Sequence, residues 1–112
     1  MELTKQAQDY AIRVAELVKF LREDDKGFPL ADELLACGVE AGLSLREPGT
    51  EGFKKAAGAL RKSDYLLEMA VSAGYLTERQ SVHIRDEGRA LLEAIDDKKQ
   101  IQILSTQRRE KT

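Results

Sequence analysis

At 112 residues the chain is long enough to bury one hydrophobic core and too short to expect a second domain. An apolar share of 42% beside 34% charged residues is ordinary for a water-soluble helical protein, and no stretch approaches the ~18 consecutive apolar residues of a membrane span. With 18 Lys and Arg against 20 Asp and Glu, the net charge of −2 excludes a global field that would draw in nucleic acid or an anionic membrane. The charge is nonetheless uneven. Residues 98–112 carry Lys98, Lys99, Arg108, Arg109 and Lys111 against Glu110, a net of +4 that leaves −6 on residues 1–97. The opening Met-Glu-Leu-Thr-Lys-Gln lacks the apolar run of a signal peptide, and a single cysteine permits no intrachain disulfide. Together they point to a reducing cytoplasm.

The first helix is predicted over residues 4–23. Leu3, Ala7, Tyr10, Val14, Leu17 and Leu21 alternate at spacings of four and three, a heptad seam that Ala11, Val18 and Phe20 widen. The polar run from Arg22 to Gly27 is an inter-helix turn. A second helix follows over residues 30–45, with Pro29 at its first position and Asp32 and Glu33 where the positive end of the helix dipole favours acids. Leu34, Gly38, Ala41 and Leu45 recur at four, three and four, and Gly42 lies beside that stripe. Each glycine costs about 1 kcal/mol relative to alanine inside a helix, which points to close approach of a neighbouring helix.

Pro48-Gly49 stops the second helix, Thr50 is the predicted N-cap of the third, and the short loop makes the two antiparallel. The third helix carries a seam of Phe53, Ala57, Leu60, Leu67 and Val71, interrupted by Asp64, with Leu66 and Met69 outside it. Gly74-Tyr75-Leu76 has the form of a glycine C-cap with a trailing hydrophobic contact, and Thr77 to Gln80 that of a capping box. The fourth helix starts at once, with Ile84, Gly88, Leu91 and Ile95 in register. Its core seam ends near Ile95, and the backbone is expected to fray after about Leu104. The chain thus divides into a helical domain over residues 1–104 and a polar basic tail over 105–112. The fold class is all-α, an antiparallel up-down-up-down four-helix bundle.

Several of these segments carry a family resemblance. The run from Tyr10 to Leu21, then Phe28, then Asp32 to Gly38, resembles the first two helices of a bacterial four-helix-bundle protein family. That family is named for members encoded in intervening sequences of large-subunit ribosomal RNA genes. Its second helix ends in a polar pattern that reads Gly42-Leu-Ser-Leu-Arg-Glu47 here, with Ser44 where the family favours Asn. Pro48 follows where the family's helix or loop usually continues, and about two turns are missing before Tyr65. Tyr65 to Glu68 is similar to a segment of the family's third helix, and Gly74 to Thr77 to its entry into the fourth. The resemblance spans residues 8–96. It implies a bundle that commonly assembles as a homopentamer, with no established enzymatic activity, and it marks Ser44, Arg46, Glu47, Tyr65 and Glu68 as motif positions.

The residues themselves suggest little chemistry. The single histidine, His83, has Gln80 three residues before it and Glu87 one turn after, which is not the Glu-x-x-His pattern of a metal-holding bundle. Cys37 and His83 lie on different helices, and Cys37 reads as a small core residue. No catalytic residue, metal or cofactor is expected. Asp64 is either partnered from an adjacent helix, by Arg13 or Arg46, or left exposed by a local shift of the seam. Surplus apolar bulk at Val18, Phe20, Leu66 and Met69 suggests an oligomer interface. Lys54, Lys55, Arg61 and Lys62 repeat at seven residues and form a modest basic stripe on the third helix. The expectation is therefore a non-enzymatic, self-associating binding or scaffold protein, the alternative being an RNA-binding accessory protein that uses that stripe and the tail.

Overall fold

The computed structural model describes residues 2–23 and 27–111, with side chains through Leu104. Asp24, Asp25 and Lys26 of the expected first turn, and Thr112 of the tail, lie outside the described residues. Four helices follow one another: α1 Leu3–Glu23, α2 Ala31–Ser44, α3 Thr50–Ser72 and α4 Glu78–Lys111. Each packs against its neighbours in sequence and α1 closes on α4, while the diagonal pairs α1 with α3 and α2 with α4 stay apart. The chain is an all-α, up-down-up-down four-helix bundle.

The seams expected on α1, α2 and α4 face the core. Ala7, Tyr10, Val14 and Leu21 are buried, as are Leu34, Gly38 and Ala41, and Ile84, Leu91 and Ile95. On α3 the expected Ala57, Leu60 and Leu67 are buried, but the seam, again at four and three, passes through Ala56, Leu60, Ser63, Leu67 and Ala70. Ala56, Ser63 and Ala70 each stand one residue before the expected Ala57, Asp64 and Val71. Asp64 therefore flanks the core. Ser63 holds the central position, and the reason lies across the bundle. Tyr10 is fully buried and its hydroxyl lies 2.5 Å from that of Ser63, spanning the diagonal between α1 and α3. Gly88 of α4 makes room for the ring, since a Cβ there would sit 3.2 Å from Tyr10 Cε1. Burial raises the Tyr10 pKa, so the phenol stays a neutral hydrogen-bonding group.

The connections follow from local chemistry. Gly74, at positive φ, closes α3 in a Schellman turn, with Tyr75 N–H donating to the Ala70 carbonyl at 2.8 Å and Gly74 N–H to that of Val71 at 3.1 Å. The Tyr75 ring then packs against Phe28, centroids 5.0 Å apart, at the end of the bundle where α2 begins. The capping box is complete. Gln80 N–H donates to Thr77 Oγ1 at 3.1 Å, and Thr77 N–H to Gln80 Oε1 at 2.8 Å. Two helix starts differ from expectation: α2 begins at Ala31, after a turn containing Pro29, and Gly49 rather than Thr50 occupies the N-cap of α3, at φ 82°. A side-chain cap is dispensable there because glycine supplies the turn conformation itself.

The fourth helix continues to Lys111, seven residues beyond the expected point of fraying. No glycine or proline interrupts residues 89–111, so nothing in the backbone chemistry stops it. The molecule extends 60 Å along its axis against 22 and 20 Å across. Beyond Ile95, α4 has no buried residue among those whose side chains are described.

The glycines divide by what surrounds them. A Cβ on Gly38 would lie 3.2 Å from Val14 Cβ, which confirms close packing of α1 on α2, whereas Gly42 has open space and is no packing position. Gly52 is the tightest: a Cβ would collide with the Ser44 carbonyl oxygen. Chemical denaturation should separate them. Gly42→Ala is expected to raise stability by up to about 1 kcal/mol, and Gly52→Ala to lower it by about 1–3 kcal/mol.

Candidate functional site

A groove of about 600 Å³ lies between α2 and α3. Its floor consists of small residues, Ala36 and Cys37 from α2 with Gly58 and Ala59 from α3. Short side chains at the line of closest approach leave a trough where larger ones would fill the space between two helical cylinders. The rim is charged on both sides, and it is bridged. Lys62 Nζ lies 3.1 Å from Glu33 Oε2, and Lys55 Nζ 3.2 Å from Glu47 Oε2. Hydrogen bonding to those carboxylates raises the pKa of each lysine, so both remain cationic at any physiological pH.

Cys37 lies at the groove floor but is buried, and desolvation raises its thiol pKa despite the favourable field of Lys62. His83 is exposed on α4, diagonal to α2, so no base meets the thiol. Glu87, one turn from His83, is engaged by Arg13 Nε at 2.8 Å. Among the described residues no group of three or more His, Cys, Asp or Glu side chains is arranged to hold a metal ion. The groove offers shape and paired charge, with no activated nucleophile.

The polar motif at the end of α2 is turn machinery. Ser44 is buried; its hydroxyl donates to Glu40 Oε1 at 3.1 Å, while its carbonyl accepts the Glu47 N–H at 3.1 Å and lies against Gly52. Glu47 reaches Lys55, tying the turn to the second turn of α3. Arg46 is exposed. Tyr65 and Glu68 are exposed on α3, away from that turn, so the structure does not gather the five motif residues into one site.

The basic stripe is likewise divided. Lys55 and Lys62 face α2 and are paired, whereas Lys54 and Arg61 have no ion pair among the described residues and share the outward face with Tyr65. Asp64 is half-buried and accepts from Arg85 Nε at 2.9 Å, with Arg89 Nη2 at 3.9 Å. Its partners come from α4 and not from Arg13 or Arg46, because Arg13 faces Glu87 and Arg46 lies beyond the end of α2. Asp64 in turn raises the Arg85 pKa.

The expected interface residues are corrected in part. Val18 and Leu66 are buried in the core and Met69 is half-buried against it, so the core stripe is wider than a minimal seam. Of the four, Phe20 alone is exposed. The large apolar side chains that do face outward include Ile12, Val39, Leu43, Tyr65 and Val82, with Ile101 and Leu104 on the α4 overhang. Val82, which the sequence pattern placed in support of the α4 seam, is among them, because it lies on the face opposite Ile84, Leu91 and Ile95.

No family model and no curated protein matches the chain. A crystal structure of a protein of unknown function from the S23 ribosomal protein family, from Bacteroides thetaiotaomicron, is similar over 88% of this chain and 98% of that one. The TM-score is 0.79 at 20% sequence identity. At that identity the likeness establishes a shared fold.

Burial at Cys37 has a measurable consequence. Alkylation of the native protein near pH 8 should run at least about ten-fold slower than alkylation of the unfolded chain, because only the thiolate reacts. Since burial raises the pKa, the native rate should keep climbing with pH beyond the point where the unfolded thiol has levelled off. A native rate equal to the unfolded one would place the thiol in an open, reactive setting.

Proposed function

We propose that this protein is a non-enzymatic, self-associating helical bundle that acts as a binding or scaffold module, and that it belongs to the intervening-sequence family it resembles. The observation that carries this reading is the set of large apolar side chains left outside the core. Val39, Leu43, Tyr65 and Val82 face outward from three different helices, and α4 runs on past the bundle with Ile101 and Leu104 exposed. Adjacent apolar side chains on one helix face, as at Val39 with Leu43 and Ile101 with Leu104, support an interface more than the single ones do. The family resemblance makes a homopentamer the expected state. No helix among the described residues is long and apolar enough to cross a membrane.

An RNA-contacting role is the second reading. Its support is that Lys54 and Arg61, without an ion pair among the described residues, share the outward face of α3 with an exposed aromatic ring, Tyr65, which follows Arg61 by about one turn and Lys54 by about three. Cations for phosphates beside an aromatic face for a base is the usual composition of a single-strand contact. Glu51 and Glu68 on the same helix oppose it.

Light scattering at micromolar protein should return a mass several times 12.5 kDa, five times for the pentamer; a monomer at every concentration would remove the first reading. For the second, binding to single-stranded RNA should weaken steeply with added salt and drop further on neutralising Lys54 and Arg61. Binding indifferent to both changes would dispose of it.

A further inference from the structure

We infer that the α4 overhang is an assembly arm whose exposed apolar face lies along the outer face of α2 in a second copy of this chain. The inference rests on the self-association reading and names the surfaces that would carry it. Three observations converge. The first is that the arm buries none of its described side chains within its own chain, although Lys98 lies beside Leu3 and Thr4 and Ile103 is partly covered. Ile95 is the last fully buried residue of α4, yet the helix runs sixteen residues further, about 24 Å at the usual rise. Ile101 and Leu104, on one side of that segment, are 60% and 48% exposed. An extension of more than about four turns that carries isoleucine and leucine outward leaves apolar surface with no cover in its own chain.

The second observation is a matching surface. Among the described residues the body of the bundle presents one pair of large exposed apolar side chains a single turn apart, Val39 and Leu43 at 47% and 58%. They continue the outward stripe of Asp32 and Ala36 at spacings of four, three and four. The other outward apolar residues of the body, such as Ile12, Tyr65 and Val82, stand singly on their helices. Fourteen residues of α2 span about 21 Å, close to the length of the arm.

Charge is the third. Residues 98–112 carry a net of +4, while residues 31–47 carry Asp32, Glu33, Glu40 and Glu47 against Arg46, a net of −3. Asp32, Glu33 and Glu47 already have partners in their own chain, Arg22, Lys62 and Lys55, so the attraction orients the arm more than it holds it. Glu40, bonded only to the Ser44 hydroxyl, has no ion pair among the described residues. Arm and α2 face are different patches, so their contact is heterologous: two copies can exchange arms, or successive copies can close a ring.

Two full-length variants test this, Ile101→Glu with Leu104→Glu, and Val39→Glu with Leu43→Glu. Light scattering reads the mass and far-UV circular dichroism confirms the helices. Each variant alone is expected to fall to 12.5 kDa, and an equimolar mixture to form a two-chain species, because each partner retains the surface the other has lost. If a glutamate pair unfolds the chain, the corresponding serine pair replaces it.

An assembled parent whose mass is unchanged by the arm substitutions overturns the arm while leaving self-association intact. Two monomeric variants that fail to combine overturn the pairing of these two faces. If the arm substitutions spare assembly and abolish binding to RNA or to anionic vesicles, the arm serves another partner and the inference is also lost. A monomeric parent removes the underlying reading itself.

Discussion

A tyrosine buried at the centre of a narrow four-helix bundle must find both room for its ring and a partner for its hydroxyl. Here α1 supplies Tyr10, α4 withdraws to Gly88 beside the ring, and α3 presents Ser63 to the hydroxyl across the diagonal. The rest of the packing depends on that arrangement. With Ser63 at the central seam position, α3 is rotated so that Asp64 sits at its flank, where Arg85 and Arg89 can reach it. An apolar residue at position 63 would strand a buried hydroxyl, at a cost of about 1–3 kcal/mol. The contact therefore selects one rotation of α3 among several that a purely apolar seam would tolerate.

A second constraint operates at the α2–α3 end. Gly52 lets the start of α3 press against the Ser44 carbonyl, while Ser44 and Glu47 hold the turn through Glu40 and Lys55. A run of polar residues that could be mistaken for a binding motif is thus absorbed by backbone geometry, one hydrogen bond and one ion pair. Glu47 on Lys55 and Glu33 on Lys62 together pair half of the basic stripe. What remains outward-facing includes Lys54, Arg61, a few large apolar side chains and an overhanging helix.

The fold was legible in the sequence to a large degree. Heptad spacing on α1, α2 and α4, the glycine C-cap at Gly74 and the Thr77–Gln80 box depend on residues close together in the chain, and each appears in the structure where its pattern indicated. The candidate site was less legible. Val18 and Leu66 were surplus to a minimal seam, but a bundle core takes up a wider stripe, and only the depth of packing distinguishes a broad core from an interface. Gly38 and Gly42 look alike in sequence, yet one touches Val14 and the other touches nothing.

By itself the sequence determined the four helices and their approximate extents, the cap at Gly74 and the Thr77–Gln80 box, the antiparallel order and the acidic body with its basic end, because periodicity, caps and charge are local properties. Tertiary structure decided the diagonal Tyr10–Ser63 bond, the partners of Asp64, the division of the basic stripe and the overhang of α4. Each of these depends on the rotation and axial offset of one helix against another. Those two quantities are set by side-chain volumes on both partners at once, and no pattern along a single strand of sequence contains them.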